Sequence, residues 1–166
     1  MSTSDDAQVA CVVTTSSEEE TVALGRRIGG LLEPGGVVAL MGSLGSGKTT
    51  LVKGLAEGLG ISDAREVRSA SFLLIAEYKA RVPIYHFDAY RLEGAREMYE
   101  LGCDEIFWGN GVSVVEWADR VEECLPDSYL KISMSIEGPT TRKVELSSHG
   151  EGYDEIVNGL SGRGFS

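Results

Sequence analysis

Basic residues are scarce in this chain of 166 residues. Its 26 aspartates and glutamates outnumber its 15 lysines and arginines, so the formal net charge is −11. The longest basic runs are the pairs at residues 26–27 and 142–143. A protein that holds nucleic acid by itself needs positive side chains that displace counterions from the phosphates. The composition therefore argues against independent nucleic-acid binding. It leaves open that the chain contacts nucleic acid when a more basic partner protein is also bound.

Long apolar runs are also absent. No segment approaches the roughly 20 consecutive apolar residues that a membrane-spanning helix needs. The N-terminal sequence MSTSDDAQ carries acids, where a secretory signal would have a basic region and an apolar core. These absences predict a cytoplasmic protein with no membrane partner.

Cysteine is rare, and its spacing is uninformative. Cys11, Cys103 and Cys124 lie far apart and form no C-x-x-C pair. An odd, dispersed set of this kind fits neither a disulfide framework nor a zinc site. We therefore expect free thiols that are buried or half-buried in a reducing cytosol.

The length of the chain predicts a single domain. A chain of 166 residues suits one domain that buries roughly two-thirds of its unfolded surface. We expect this domain to span residues 8–160, because no repeat or linker interrupts it. Residues 1–7 and 161–166 are expected to be disordered tails.

Alternating strand and helix patterns predict an α/β fold. Apolar and β-branched segments indicate strands at residues 9–14, 37–41, 72–78, 82–87, 112–117, 130–137 and 142–148. Helical patterns occur between Ser17 and Pro34, where Ser17 and Glu20 form a capping box, and at residues 48–59, 96–101 and 153–160. This order favours a mostly parallel sheet with helices on both faces. Residues 79–81 would close a hairpin, and the last two strands would form an antiparallel pair.

A phosphate-binding loop is the most specific single motif. Residues 42–49 read Gly-Ser-Leu-Gly-Ser-Gly-Lys-Thr and fit the pattern G-x-x-x-x-G-K-[ST]. An apolar strand pattern precedes them, and Leu51, Leu55 and Leu59 follow at helical spacing. Backbone N–H groups of such a loop converge on phosphate oxygens, and the helix N-terminus adds partial positive charge. We therefore predict a nucleotide site in which Lys48 contacts the terminal phosphates and Thr49 contributes to a magnesium shell.

Two acidic residues directly follow apolar strand patterns. Glu116 follows residues 112–115, and Asp88 follows residues 84–87. Because ligands bind at the carboxyl edge of open α/β sheets, either acid could hold magnesium or polarise water. His86 could also polarise water, but we favour a role in which it orients the neighbouring acid. Which of the two acids is the main catalytic group stays open.

Together these motifs resemble the TsaE family. The phosphate loop is followed by Val-Arg-Ser-Ala-Ser-Phe at residues 67–72, by His-Phe-Asp-Ala-Tyr-Arg at residues 86–91, and by Glu-Trp at residues 116–117. The resemblance spans residues 8–148. Many functions share a phosphate loop, but the combination with H-x-D-x-Y-R and E-W is far more specific.

The resemblance implies a slow, Mg²⁺-dependent ATPase. Family members are needed for the threonylcarbamoyladenosine modification at adenosine 37 of tRNAs that read codons beginning with A. They work with a threonylcarbamoyl-transferase subunit and its paralogue, whose heterodimer they bind and reset between rounds. We therefore expect ATP and Mg²⁺ as cofactors, and contact with tRNA only through this complex.

The resemblance also implies the residues of the site. The nucleotide would be bound by Ser17, Gly45, Ser46, Gly47, Lys48, Thr49, Thr50 and Arg142. Magnesium would be held by Thr49 and Glu116. The catalytic residues would be Lys48, Asp88 and Glu116.

Three positions depart from the family pattern. Ser43 stands where an aspartate is common, and Ala118 replaces a common proline. Residues 69–72, expected to sense the nucleotide, read Ser-Ala-Ser-Phe in place of Ser-Pro-Thr-Phe. Alanine at position 70 frees the backbone that proline would restrict. None of these changes removes a group that must contact phosphate or metal.

Two other classes of P-loop protein compete with the ATPase. A small-molecule kinase would need a lid with arginines over the transferred phosphate, and the nearest grouping is Arg81, Arg91 and Arg96. A GTPase would need an N-K-x-D element, which neither Asn110 nor Asn158 begins.

The two tryptophans are expected to be packing residues. They are Trp108 and Trp117. Trp117 also follows the candidate metal ligand Glu116, so its fluorescence should report nucleotide binding.

Overall fold

The computed structural model describes residues 10–68 and 74–161, and these residues form one sheet with helices. The strands are β1 (Ala10–Thr15), β2 (Val37–Gly42), β3 (Ile75–Tyr78), β4 (Ile84–Asp88), β5 (Val112–Glu116), β6 (Tyr129–Ile136) and β7 (Arg142–His149). The α-helices are α1 (Glu18–Leu31), α2 (Lys48–Gly58), α3 (Ala95–Glu100), α4 (Cys103–Phe107) and α5 (Asp154–Leu160). Short 3₁₀ helices lie at Ala64–Glu66 and Ala118–Cys124. No helix within these ranges is long and apolar enough to cross a membrane.

The centre of the sheet is parallel and both of its edges are antiparallel. The strand order is β1-β7-β6-β2-β5-β4-β3. Strand β2 pairs in parallel with β5 and β6, and β5 pairs in parallel with β4. Antiparallel pairs join β3 to β4, β6 to β7 and β1 to β7. This arrangement confirms the predicted fold class, including the hairpin and the late antiparallel pair.

Strand β2 separates two apolar cores. Val38 and Leu40 face a core that includes buried residues of α1, α2 and α5. Val37 and Ala39 face the opposite core, which includes residues of α3 and α4. Because successive side chains of a strand point to opposite faces, a strand covered on both sides must be apolar throughout. The uninterrupted apolar sequence of β2 is therefore explained by its central position.

The described thiols match the expectation from sequence. Cys103 and Cys124 are buried, Cys11 is partly buried, and all three are free. Burial raises the pKa of the Cys103 thiol to about 12. A thiol that stays protonated at neutral pH is neither a nucleophile nor a metal ligand.

Several sequence expectations differ from the structure or lie outside the described residues. Helix α4 and the 3₁₀ helix at Ala118–Cys124 were not predicted, because such short elements carry too little periodicity. Trp108 is 88% exposed, so its prediction as a packing residue is wrong. The described residues do not include the motif at residues 69–72 or the start of the strand predicted from residue 72. They also exclude the predicted tails, apart from residue 161.

Helices α1 and α2 run parallel and touch through glycines. Gly25 lies against Leu51 and Gly54, and one turn later Gly29 lies against Leu55 and Gly58. A side chain at any of the four glycines would meet the backbone of the other helix. This close contact places the N-termini of both helices at the same edge of the sheet.

We predict that Gly54→Ala destabilises the protein, although alanine is the better helix former. A Cβ atom on Gly54 would overlap the carbonyl oxygen of Val22 and lie 3.0 Å from the Cα of Gly25. Forcing two rigid backbones apart should cost on the order of 1–3 kcal/mol. Urea denaturation followed by circular dichroism measures the free energy of unfolding.

Gly30→Ala is the matched control, because a Cβ atom there meets nothing within 4 Å. It should stabilise α1 by up to about 1 kcal/mol through helix propensity. If Gly54→Ala proved as stable as Gly30→Ala, the close contact between the helices would be refuted.

Candidate functional site

The phosphate loop, residues 42–49, connects the central strand β2 to helix α2. Leu40 pairs with Glu116 of β5, so the loop begins beside the carboxyl end of that strand. Gly45 and Gly47 have φ angles of 79° and 101°, a left-handed conformation that glycine adopts without strain. The first N–H groups of α2 have no acceptor within the helix, and they begin where the loop ends. The strand–loop–helix geometry predicted by the motif is therefore present.

A cleft of about 530 Å³ opens at this edge of the sheet. The predicted site residues that line it are Ser17, Gly45, Gly47, Lys48, Thr49, Thr50, Asp88, Glu116 and Arg142. Ser46 is fully buried, and its hydroxyl has no hydrogen-bond partner among the described residues. The structure thus brings the predicted residues together around one cleft, with the Ser46 side chain buried beside it.

Lys48 provides a buried cation inside the cleft. Only 6% of its surface is exposed, and its ammonium donates to the carbonyl oxygens of Gly42, at 2.7 Å, and Ser43, at 2.9 Å. The same nitrogen lies 4.2 Å from the centre of the Trp117 ring. Burial lowers the pKa of Lys48, and the carboxylates of Glu116, Asp88 and Asp119 oppose that shift. An anion in the cleft would therefore find a partly desolvated ammonium group.

The two candidate acids lie side by side at the carboxyl edge. Asp88, the last residue of β4, pairs with Glu116, the last residue of β5. Each is 3% exposed. An oxygen of Asp88 accepts a hydrogen bond of 2.9 Å from the backbone N–H of Tyr90. The parallel register therefore aligns two carboxylates from distant parts of the sequence.

His86 contacts one of these acids, as the sequence predicted for an orienting histidine. Its Nε2 lies 2.5 Å from an oxygen of Glu116, and its Nδ1 lies 3.1 Å from the hydroxyl of Tyr78. The His86 side chain is fully buried and that of Glu116 is 4% exposed. His86 thus contacts an acid, as expected for an orienting histidine, but that acid is Glu116 of the adjacent strand and not Asp88, its neighbour in the sequence.

The oxygen ligands of the cleft fit magnesium bound together with phosphates. Among the described residues, no group of three or more His, Cys, Asp or Glu side chains could hold a metal ion. Magnesium is usually held in proteins by one or two carboxylates, with waters and substrate phosphates completing its octahedron. Thr49 and Glu116 line the same cleft and supply a hydroxyl and a carboxylate. These residues fit an ion shared with a nucleotide, and they do not form a metal site of their own.

Arg142 and Ser17 contact structural elements at the edge of the cleft. Arg142, the first residue of β7, donates from Nε to the carbonyl oxygen of Ser46 at 3.0 Å, and from Nη2 to that of Gly45 at 3.4 Å. The hydroxyl of Ser17 caps α1 by accepting the N–H of Glu20 at 3.1 Å. The Glu20 carboxylate accepts the N–H of Ser16, which differs from the standard capping box by one residue. Arg142 therefore clamps the loop, and Ser17 fixes the start of α1.

Sequence reasoning missed part of the cleft lining. Trp117 was expected to pack and to report nucleotide binding, but its contact with Lys48 and its left-handed φ of 59° were not anticipated; that φ is a strained conformation for a bulky residue. The Tyr90 ring centre lies 4.9 Å from that of Trp117. Leu44, Pro139 and Thr140 also line the cleft. Leu44 occupies an unspecified position of the motif, so no signal marked it, whereas the E-W pair had already placed Trp117 beside the site.

The fold and the cleft define a small α/β protein with a phosphate loop at the carboxyl edge of a central parallel sheet. Residues 15–144, well over half of the chain, match the family described as "Threonylcarbamoyl adenosine biosynthesis protein TsaE". This chain belongs to the TsaE family. The resemblance drawn from its motifs is thereby confirmed.

Individual relatives agree with this membership. The chain is 43% identical over 148 residues to the tRNA threonylcarbamoyladenosine biosynthesis protein TsaE of Bacillus subtilis, covering 89% of this chain and 91% of that protein. It is 40% identical over 131 residues to the protein of the same name from Treponema pallidum, covering 79% and 96%. The crystal structure of YdiB from Bacillus subtilis superposes with a TM-score of 0.79 at 37% identity, covering 92% and 94%.

Proposed function

We propose that this chain is a slow, Mg²⁺-dependent ATPase required for threonylcarbamoyladenosine modification at adenosine 37 of tRNAs that read codons beginning with A. The observation that carries the proposal is the meeting of Lys48, Asp88 and Glu116 in one phosphate-loop cleft. Membership of the TsaE family supplies the pathway. The relatives named above carry the same pathway in their names.

The triphosphate would lie along the phosphate loop and the N-terminus of α2. There the backbone N–H groups and the helix dipole favour anions. Lys48 would exchange its carbonyl partners, Gly42 and Ser43, for phosphate oxygens. Arg142 would support binding indirectly, because it holds the carbonyl groups of Gly45 and Ser46 and so fixes the curvature of the loop.

Glu116 and Thr49 would hold the magnesium ion, and Asp88 would orient the attacking water. When bound, magnesium would neutralise the charge that develops on the transferred phosphoryl group. His86 engages one oxygen of Glu116, which fixes the direction in which the carboxylate presents its other oxygen. Asp88 pairs in register beside Glu116 and is close enough in the fold to share the site.

The partners would be a threonylcarbamoyl-transferase subunit and its paralogue. A net charge of −11 disfavours independent binding of tRNA phosphates, which requires positive side chains. We infer that the heterodimer of these partners contacts the tRNA, and that the ATPase acts on the heterodimer in the cytoplasm.

The small-molecule kinase alternative has less support. Of the three arginines that could form its lid, only Arg91 lines the cleft. Arg81 donates to the carbonyl oxygen of Gly58 at the end of α2, and Arg96 pairs with Glu100 on the surface of α3. A thermal-shift screen of ATP, GTP and candidate phosphate acceptors distinguishes these classes. Stabilisation that requires both ATP and an acceptor would favour the kinase.

Reconstituted modification tests the proposed function. The reaction contains tRNA, both partners, a threonylcarbamoyl donor and ATP, and modified adenosine is counted over many turnovers. We expect sustained turnover only when the chain is present, and little binding of tRNA by the chain alone. Lys53→Ala is the matched control for Lys48→Ala, because Lys53 is an exposed lysine of the same helix. Modification that continues equally well without the chain, or with Lys48→Ala, would refute the proposal.

A further inference from the structure

A second cleft lies at the edge of the sheet opposite the phosphate loop. Its volume is about 660 Å³, and it shares no lining residue with the first cleft. Val37, the first residue of β2, lines this second cleft, whereas the phosphate loop begins at the last residue of that strand. We call it the amino-edge cleft. Its acidic and exposed aromatic lining residues are Tyr99, Asp104, Trp108, Glu123, Asp127 and Glu151.

The amino-edge cleft is acidic and holds no compensating base. Its four acidic residues are all exposed, and its described lining contains no lysine or arginine. None of the four takes part in an ion pair within residues 10–68 and 74–161. Carboxylates that share one cleft repel each other, and the low-dielectric walls focus their field on any cation that enters. The cleft therefore favours a positively charged ligand.

Tertiary contacts hold the first pair of these acids. Asp104 lies in α4, and Glu123 lies in the 3₁₀ helix at Ala118–Cys124. The hydroxyl of Tyr99, in α3, donates to the carbonyl oxygen of Glu123 at 3.2 Å. Both carboxylates lie near the Cys124 thiol, whose pKa is raised first by burial and then by these two negative charges. Two acids from different elements are thus brought to the same part of the cleft.

The turn after β7 brings the second pair of acids together. The backbone N–H of Glu151 donates to the hydroxyl of Ser128 at 3.0 Å. Gly150 has a φ of 74°, and a side chain there would overlap the carbonyl oxygen of Asp127. This close backbone contact holds Asp127 and Glu151 beside each other, although they are distant in the sequence.

Two exposed aromatic rings complete the amino-edge cleft. Trp108 is 88% exposed and Tyr99 is 45% exposed. The backbone N–H of Trp108 donates to the carbonyl oxygen of Asp104 at 3.2 Å, and residues four apart on a helical turn lie on the same face. Tryptophan is the side chain whose ring attracts cations best. A guanidinium group suits this combination better than an ammonium group, because its planar fork stacks on a ring and binds a carboxylate through two hydrogen bonds.

We propose that the amino-edge cleft is an interaction surface for an arginine-bearing segment of a partner protein. One guanidinium group stacks on Trp108 and pairs with Asp104 and Glu123, and a second cation meets Asp127 and Glu151. An extended segment presents alternate side chains on the same side, roughly 7 Å apart, so one chain supplies both cations. Nucleic acids and other polyanions are repelled by the same field. This surface is additional to the proposed ATPase site and does not depend on it.

Titration with a short peptide tests the proposal. The probe is Gly-Arg-Gly-Arg-Gly with blocked termini. A lysine analogue keeps its charge, and a citrulline analogue keeps its shape without the charge. Because the chain has two tryptophans and each cleft is lined by one of them, NMR of the indole N–H groups locates the binding. A Trp108→Ala variant assigns the two signals. The fluorescence anisotropy of labelled peptide at physiological salt gives the affinities.

We expect the arginine peptide to shift the Trp108 indole signal saturably and to leave the Trp117 signal unchanged. Trp108→Ala and Glu123→Gln should each weaken binding roughly 3- to 10-fold. Glu77→Gln is the matched control, because it removes the same charge from an exposed residue of β3 outside the cleft, and it should bind as the parent does. The lysine peptide should bind at least roughly 3-fold more weakly, and the citrulline peptide should not bind.

Absence of binding, or equal binding of the arginine and lysine peptides, would overturn the proposal. Equal losses in Glu123→Gln and Glu77→Gln would also overturn it, because the peptide would then respond only to net charge. Residues 162–166 include Arg163. If their deletion shifted the Trp108 signal and strengthened peptide binding, the occupant would be this chain's own C-terminal segment and not a partner. Self-association that Trp108→Ala abolishes would instead assign the cleft to a second copy of the chain, and it would equally overturn the proposal.

Discussion

We expect replacement of Lys48 by alanine to weaken ATP binding by roughly 10- to 100-fold or to abolish hydrolysis, and to leave the fold intact. A charge-assisted hydrogen bond to phosphate contributes on the order of 1.5–3 kcal/mol, and about 1.4 kcal/mol corresponds to a tenfold change in affinity. Among the described residues, the ammonium of Lys48 donates hydrogen bonds to the loop carbonyls of Gly42 and Ser43 and lies over the face of Trp117. No other lysine lines the cleft in the part of the chain that the structure describes.

Calorimetric titration with Mg-ATP measures this effect directly. Trp117 fluorescence gives a second signal in the parent protein, but removal of Lys48 alters the surroundings of that ring, so calorimetry is the primary measurement. Lys53→Ala removes the same charge from an exposed position of α2 and should bind as the parent does. Equal affinity and equal turnover in Lys48→Ala would contradict the assignment of the phosphate loop.

We expect Glu116→Gln to lower hydrolysis much more than it lowers nucleotide affinity. Glutamine keeps the shape of the side chain and can still accept a hydrogen bond from Nε2 of His86, but it removes the charge that magnesium needs. The loss of a preorganised group that acts on the transition state should cost roughly 100-fold in turnover, whereas ground-state binding should depend mainly on the loop and Lys48. Steady-state hydrolysis at saturating ATP, together with calorimetry of ADP binding, separates the two effects.

Asp88→Asn is the competing substitution. Asp88 and Glu116 are paired residues of adjacent parallel strands and are equally buried, so burial does not rank them. Their partners differ, because Glu116 contacts a side chain, His86, whereas Asp88 accepts a backbone N–H from Tyr90. If Asp88→Asn stopped turnover and Glu116→Gln left it unchanged, the metal would have been assigned to the wrong acid.

The glycine contact between α1 and α2 also bears on the cleft. Both helices begin at the cleft, where Ser17 and Glu18 from the start of α1 face Thr49 and Thr50 from the start of α2. Because Gly25 and Gly54 let the two backbones touch, the spacing of these N-termini is set by rigid backbone contact rather than by adaptable side chains. Gly54→Ala should therefore disturb the nucleotide site as well as the stability of the fold.

The sequence determined the parts of this protein that depend on local spacing. The eight positions of the phosphate loop, the apolar run of β2 and the N-cap at Ser17 each specify a local conformation through residues that are close in the chain. The strand after which each acid falls could also be identified, because β4 and β5 are short apolar segments that end in Asp88 and Glu116. Membership of the TsaE family follows from the same motifs, and it was confirmed.

Only the tertiary structure decided which groups meet. Three features of the site join residues that lie far apart in the chain. They are the register that pairs Asp88 with Glu116, the contact of His86 with Glu116 rather than Asp88, and the position of Trp117 beneath Lys48. Local patterns indicated the hairpin and the late antiparallel pair, but the order and register of the parallel strands depend on the packing of both faces of the sheet at once. Trp108 illustrates the same limit. Its large apolar ring favoured burial, but its position directly after α4 leaves it 88% exposed.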